Sequence, residues 1–148
     1  MLKFAIRYGV VMFASLTLFF LLMYTLGFSQ IVELRYLNLV IQLGVLWVAM
    51  RAWLRDQPGH FDNYSEGVAF GLVTSGIGAG AFSIFMILFL YANPSLMNSM
   101  QARTPRVLAD HLDPGMAGVF TFSEAVVAAL IGSYILIRII EVKYYRSH

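Results

Sequence analysis

From residue 9 to residue 28 the chain carries no charged side chain, and from 68 to 92 it carries none again. Crossing the hydrocarbon of a bilayer takes about 20 apolar residues of helix, because every backbone amide must find its partner within the helix once water is gone. Two further stretches complete a set of four. Residues 36–53 include Asn38 and Gln42, and residues 118–140 include Glu124 and, near the end, Arg138. Such a chain is predicted to be an all-α integral membrane four-helix bundle, forming one transmembrane domain over its 148 residues. Its hydrophobic fraction of 59% against 12% charged residues agrees, since soluble domains run near ~45–50% and ~25%.

Lys3 and Arg7 ahead of the first stretch raise the alternative of a cleaved secretory signal. The apolar run is too long for a signal core and "TLGFSQ" offers no A-x-A site, so it reads as a retained span. Orientation follows from the basic residues of the short loops. With both termini inside, the inner side holds Lys3, Arg7, Arg51, Arg55, Arg138, Lys143 and Arg146, and the outer side only Arg35, Arg103 and Arg106. The N-in/C-in arrangement is therefore expected, in a bacterial inner membrane, with Trp47, Trp53, Tyr144 and Tyr145 as an inner aromatic belt and Tyr91 in the outer one. The one long connection, residues 93–114, is read as two short amphipathic helices lying on the outer surface or capping the bundle. Thr104-Pro105 and Asp113-Pro114 are helix-start signals there.

The third stretch is unlike the others. Gly67, Gly71, Ser75, Ala79 and Ser83 recur every four residues, and Gly76 and Gly80 form a GxxxG step beside them. In lipid no hydrophobic effect draws helices together, so close backbone approach and dispersion must do so, and very small side chains permit it. The stripe is expected to pack within the bundle or against a partner subunit, with Val73 on the lipid side. A pore lining is disfavoured, because the only polar groups near the stripe are hydroxyls of Thr74, Ser75 and Ser83.

Ionisable groups inside a bilayer are costly and are functional candidates by default. Glu66 sits in the first turn of the third span, where the helix dipole favours a carboxylate. Glu124 lies some ten residues beyond the helix start at Asp113-Pro114, too deep for a capping role, and is expected to face the bundle interior or water, towards the outer side. Glu33 and Glu141 read as interface charges. The trios His60, Asp62, Glu66 and Asp110, His111, Asp113 do not match a metal-ligand spacing. No span contains a histidine to ligate haem, and neither a P-loop nor a G-x-S-x-G elbow occurs. Without cysteine there is no thiol chemistry. The net charge of +2 comes from basic residues scattered around the spans, which excludes a nucleic-acid surface. No catalytic residues, cofactor or metal are expected.

The segment "YSEGVAFGLVTSGIGAGAFS", followed by "YANPSL", resembles the small four-span inner-membrane proteins, common in Bacteroidetes, that are classed as a domain of unknown function. That family tends to open its third span with a Tyr-x-Glu-Ala-Phe-like run and to end it with Asp-Pro. Tyr64, Glu66, Phe70, Gly71 and Pro94 match, whereas Asn93 replaces the usual aspartate and Gly67 a common alanine. The resemblance implies a topology and no activity. The expected function is a non-enzymatic accessory or assembly subunit of a bacterial inner-membrane complex, in contact with the lipid bilayer and with other membrane-protein subunits or itself. The alternative is a small ion- or proton-coupled transport component using Glu124 and Glu66.

The chain's lack of cysteine makes topology directly testable. Single cysteines at Ser147 and Ser99 are probed in intact cells with an impermeant thiol reagent. Labelling at Ser99 alone is expected; labelling at Ser147 alone would invert the assignment.

Overall fold

In the computed structural model, residues 1–27, 35–56 and 64–145 are described. Glu33, His60, Asp62 and Arg146, named above, lie outside them, as do the side chains of Arg35, Val107, Leu108, Glu141, Lys143, Tyr144 and Tyr145. The elements are α1 (Leu2–Thr25), α2 (Arg35–Asp56), α3 (Tyr64–Ala92), α4 (Pro94–Arg103), α5 (Arg106–Ala109) and α6 (Pro114–Tyr145). Four of these, α1, α2, α3 and α6, are long and apolar enough to cross a membrane, and the chain is a multi-pass, all-helical membrane protein.

Helix ends follow local chemistry rather than hydropathy. The first helix begins at Leu2, before the uncharged run, and includes Lys3 and Arg7. It stops at Thr25, short of the expected 28, where Gly27 takes φ +75°, a left-handed conformation that suits glycine and ends helices. The last helix starts as its sequence indicates. The Met116 amide donates to Asp113 Oδ1 at 2.6 Å, and Pro114 occupies the first turn, where no amide donor is needed.

Helix α3 is the centre of the bundle. It packs most extensively against α6 and α1, while α2 bridges α1 and α6 and reaches α3 as well. The contacts fix direction. Gly9 and Met12 meet Gly78 and its neighbours, and Tyr24 meets Asn93, so α1 runs parallel to α3; Phe122 opposes Gly80 and Ile137 opposes Gly67, so α6 runs antiparallel. Trp53 of α2 stacks on Phe70 of α3, with ring centroids 4.7 Å apart, and both are buried. Nearer the other end Phe20 and Tyr24 of α1 meet Phe89 edge-on at 5.2 and 5.0 Å. That end is covered by α4, whose Leu96 and Met97 are buried and whose Met100 packs on the same core as Leu112.

Glycines set the spacing on two sides of α3. Towards α1, a methyl group on Gly78 would fall 2.8 Å from Met12 Cβ and 2.9 Å from the Gly9 carbonyl oxygen. One on Gly9 would fall 2.8 Å from Ile77 Cγ2 and 3.2 Å from the Thr74 carbonyl oxygen. Towards α6, Gly67 is covered by Ile137 and Gly71 by Ser133, with Met50 of α2 also 2.8 Å from where a Gly71 methyl would stand. Towards α1 the glycines thus lie against backbone carbonyls as well as side chains, and towards α6 against side chains alone. The stripe read from the sequence is therefore divided between two neighbours. Gly76 belongs to neither: a methyl there would meet no atom within 4 Å. Val73 is half-buried and packs on the core, whereas Ile84, Leu88 and Tyr91 are the large exposed hydrophobic residues of α3.

Three alanine substitutions on one helix separate packing from propensity. Gly78→Ala and Gly71→Ala should each lower stability in detergent by about 1–3 kcal/mol, the usual cost of overpacking. Gly76→Ala should stay within about 0.5 kcal/mol of the parent, as open positions do. Thermal unfolding followed by circular dichroism reads all three.

Candidate functional site

Polar groups within the bundle are few, and most are satisfied locally. Ser15, Thr25, Thr74, Ser99, Thr104, Thr121 and Ser123 each donate to a carbonyl three or four residues earlier in their own helix, at 2.7–2.9 Å. Ser75, Ser83 and Ser133 are buried and make no such bond. For Ser133 the geometry supplies the reason. Its Oγ stands directly over Gly71, in the position a side chain would take, so the hydroxyl faces the Cα hydrogen of α3. The expected packing residues Ser75, Ala79 and Ser83 are all buried in α3, and Gly80 has Phe122 of α6 at 3.6 Å from a Cβ.

A second polar link joins α2 to α6. Gln42 is buried, and its Nε2 donates to the Ala125 carbonyl at 2.7 Å. One turn earlier, the Asn38 Oδ1 is buried without a donor. On α6, Gly132 is covered by Leu43 of α2, Ala125 supplies its carbonyl to Gln42, and Gly118 is covered by Ile87 of α3. These three small residues recur every seven positions, a signal present in the sequence and not used above. Gly9 was likewise legible only once its partner Gly78 was known.

The two carboxylates occupy different settings. Glu66 is half-buried in the first turn of α3. Beside it the Tyr64 hydroxyl donates to the Tyr134 carbonyl at 2.8 Å, and the two rings meet edge-on at 5.1 Å, tying the start of α3 to the last third of α6. Glu124 is level with Gly80 of α3, since its neighbours Phe122 and Ala125 meet Gly80 and Gln42. Fourteen positions of α3 separate that level from Glu66, about 21 Å at 1.5 Å per residue. The carboxylates do not come together.

Glu124 takes the second of the two settings expected of it, outside the packed interior. It stands three residues before Val127, the midpoint of the apolar Pro114–Ile140 segment, on the Pro114 side. It is also exposed, along with Phe120, Ser123 and Val127. The helix turns Gly118, Ala125, Ala129 and Gly132 inward, and Glu124 lies about 100° round the axis from Ala125. The inward face was claimed by small residues, which left the carboxylate on the flank.

Among the described residues no three His, Asp or Glu side chains gather as a metal site would require. Asp110 and Asp113 flank His111 in sequence at the capped end, where Asp113 is engaged as the cap of α6. The arrangement can hold helices together and can present one carboxylate sideways.

If Gln42 fastens α2 to α6, Gln42→Leu should lower stability by about 0.6 kcal/mol, and by no more than about 1.7. Ser133→Val should cost more, because a second methyl beside Gly71 has no room. Reversible unfolding in mixed micelles measures both, with Ser123→Val, on the exposed side, as the neutral comparison.

No curated protein and no solved structure matches the chain. A family model does, over residues 4–113, from the first turn of α1 to the cap of α6. The match extends well beyond the 64–94 segment that carried the resemblance, and the chain belongs to the family described as "Protein of unknown function (DUF4199)".

Proposed function

We propose that this protein is a non-enzymatic accessory or assembly subunit of a complex in the bacterial cytoplasmic membrane, with both termini on the cytoplasmic side. One observation carries the reading: Glu124, within the apolar segment Pro114–Ile140, is on the outside of the bundle. A buried charge-bearing group is expensive in hydrocarbon and is kept where it does something. A group that served a path through the bundle would line the interior. Glu124 is instead offered to whatever lies against α6.

The interior supports the same reading. Trp53, Phe70, Met12, Leu46, Met50 and Leu90 are fully buried and fill the space between the four spans. Transport through Glu66 and Glu124 would require one path past both, across about 21 Å of helix lined largely by these apolar side chains. The soluble parts, α4 and α5 with their short links, are too small for a catalytic domain.

Purification from the source membrane in a mild detergent, followed by mass spectrometry, tests the assignment. A defined set of membrane proteins in fixed ratio to this chain is expected. Recovery of the chain alone, as monomer or homo-oligomer, would overturn it.

A further inference from the structure

The outward face of α2 changes character along its length. We propose that it is a binding site for an anionic phospholipid, whose phosphate is held by Arg51 and Arg55 and whose acyl chain lies along the apolar part of the same face. The proposal concerns α2 and stands apart from the assembly reading above.

Gln42, Leu46, Ala49, Met50 and Trp53 turn inward. On the opposite side Leu37, Val40, Trp47 and Val48 are exposed, as are Gly44, Arg51 and Arg55. Leu37, Gly44 and Arg51 recur every seven positions, each step drifting only about 20° round the helix. A methyl group on Gly44 would meet no atom within 4 Å, so the backbone there forms a shallow notch that no described residue fills. Gly44 lies about 10 Å along the helix from Arg51, less than the roughly 15 Å of hydrocarbon in one leaflet. An acyl chain attached to a phosphate at Arg51 therefore reaches the notch. The face is ordered as a phospholipid is, apolar along most of its length and ionic at one end.

Charge decides which phospholipid. Arg51 and Arg55 stand one turn apart, where side chains are neighbours, and guanidinium groups grip a phosphate through paired N–H donors. Neither arginine has a hydrogen bond or an ion pair among the described residues. Asp56 is exposed as well, but it lies about 100° round the axis from Arg55 and about 140° from Arg51. A zwitterionic lipid would bring its own ammonium beside two cations, whereas an anionic one brings the phosphate without it. Lys3 and Arg7 are exposed at the same end of the bundle, since α1 runs parallel to α3 while Met50 and Trp53 meet Gly71 and Phe70. They belong to another helix, and so separate a site on α2 from a diffuse positive potential.

Trp47 is exposed on this face, whereas Trp53, the other tryptophan, is buried. Quenching of tryptophan fluorescence by lipids brominated in mid-chain therefore reports occupancy of the face. The full-length protein is reconstituted in phosphatidylcholine vesicles, with brominated phosphatidylglycerol or brominated phosphatidylcholine as the guest lipid. The anionic guest should bind about tenfold more tightly or better, since each arginine is worth roughly fivefold at an anionic surface. Arg51→Gln/Arg55→Gln should bring the two guests to equal affinity, while Lys3→Gln/Arg7→Gln should keep most of the preference. Gly44→Leu, which fills the notch, should weaken the anionic guest severalfold with both arginines in place. Thermal stability should be unchanged in all of these variants, because the positions are exposed. Equal binding of the two guests by the parent, or a preference that survives Arg51→Gln/Arg55→Gln, would overturn the proposal. Equal losses in the two double variants would overturn it in favour of a diffuse potential. Displacement of the anionic guest by dissolved glycerol phosphate would assign the arginines to a free phosphate compound instead. Shielding of Trp47 from brominated lipid in a complex purified from the source membrane would assign the face to a protein.

Discussion

Close approach of helix backbones is the constraint on which this structure depends. Lipid tails are as apolar as leucine, so burying apolar surface between spans brings little gain, and attraction must come from contact at short range. Helix α3 satisfies that demand on two sides. Gly78 meets the backbone of α1 at Gly9, and Gly67 and Gly71 meet Ile137 and Ser133 of α6. Once these two contacts are set, α2 fits across α1 and α6, with Trp53 lying flat on Phe70 and Gln42 reaching the Ala125 carbonyl. Water would penalise so many glycines in one helix by roughly 0.8–1 kcal/mol each. In lipid, where an open backbone is far more costly, the helix holds regardless and the glycines are available for packing.

Much of this was legible in the residues, and the reasons for the remainder are specific. The four spans follow from apolar length alone, and the start of α6 from Asp113-Pro114, because capping is local chemistry. The small-residue stripe of α3 was visible, but not its division between α1 and α6. A helix that is apolar all round gives no periodicity to show which side faces which neighbour. For the same reason Val73 was placed on the lipid side although it packs on the core, and Gly76 within a stripe it does not join. For Glu124 the sequence left interior and water both open; Gly118, Ala125 and Gly132, whose seven-residue spacing commits the inward face of α6 to close contact, leave it on the exposed flank.

That competition links packing to function. A helix in a small bundle has limited inward surface, and α6 devotes its share to α3 and α2. The carboxylate of Glu124 is left on the exposed flank of the same helix. Specificity in membranes rests on few polar groups, since apolar faces discriminate weakly among one another.

The junction at Asn93 gives the covered end of the molecule a mechanical character. Only this residue separates α3 from α4, and its side chain is held from both directions: Nδ2 donates to the Phe89 carbonyl at 3.0 Å, and Oδ1 accepts from the Tyr24 hydroxyl at 3.3 Å. Leu96 and Met97 then anchor α4 on the core. The cap is thus coupled to α3 as a crank is to its shaft. A rotation or a sliding of the central helix, of whatever origin, is carried to the surface of α4 without an intervening hinge to absorb it.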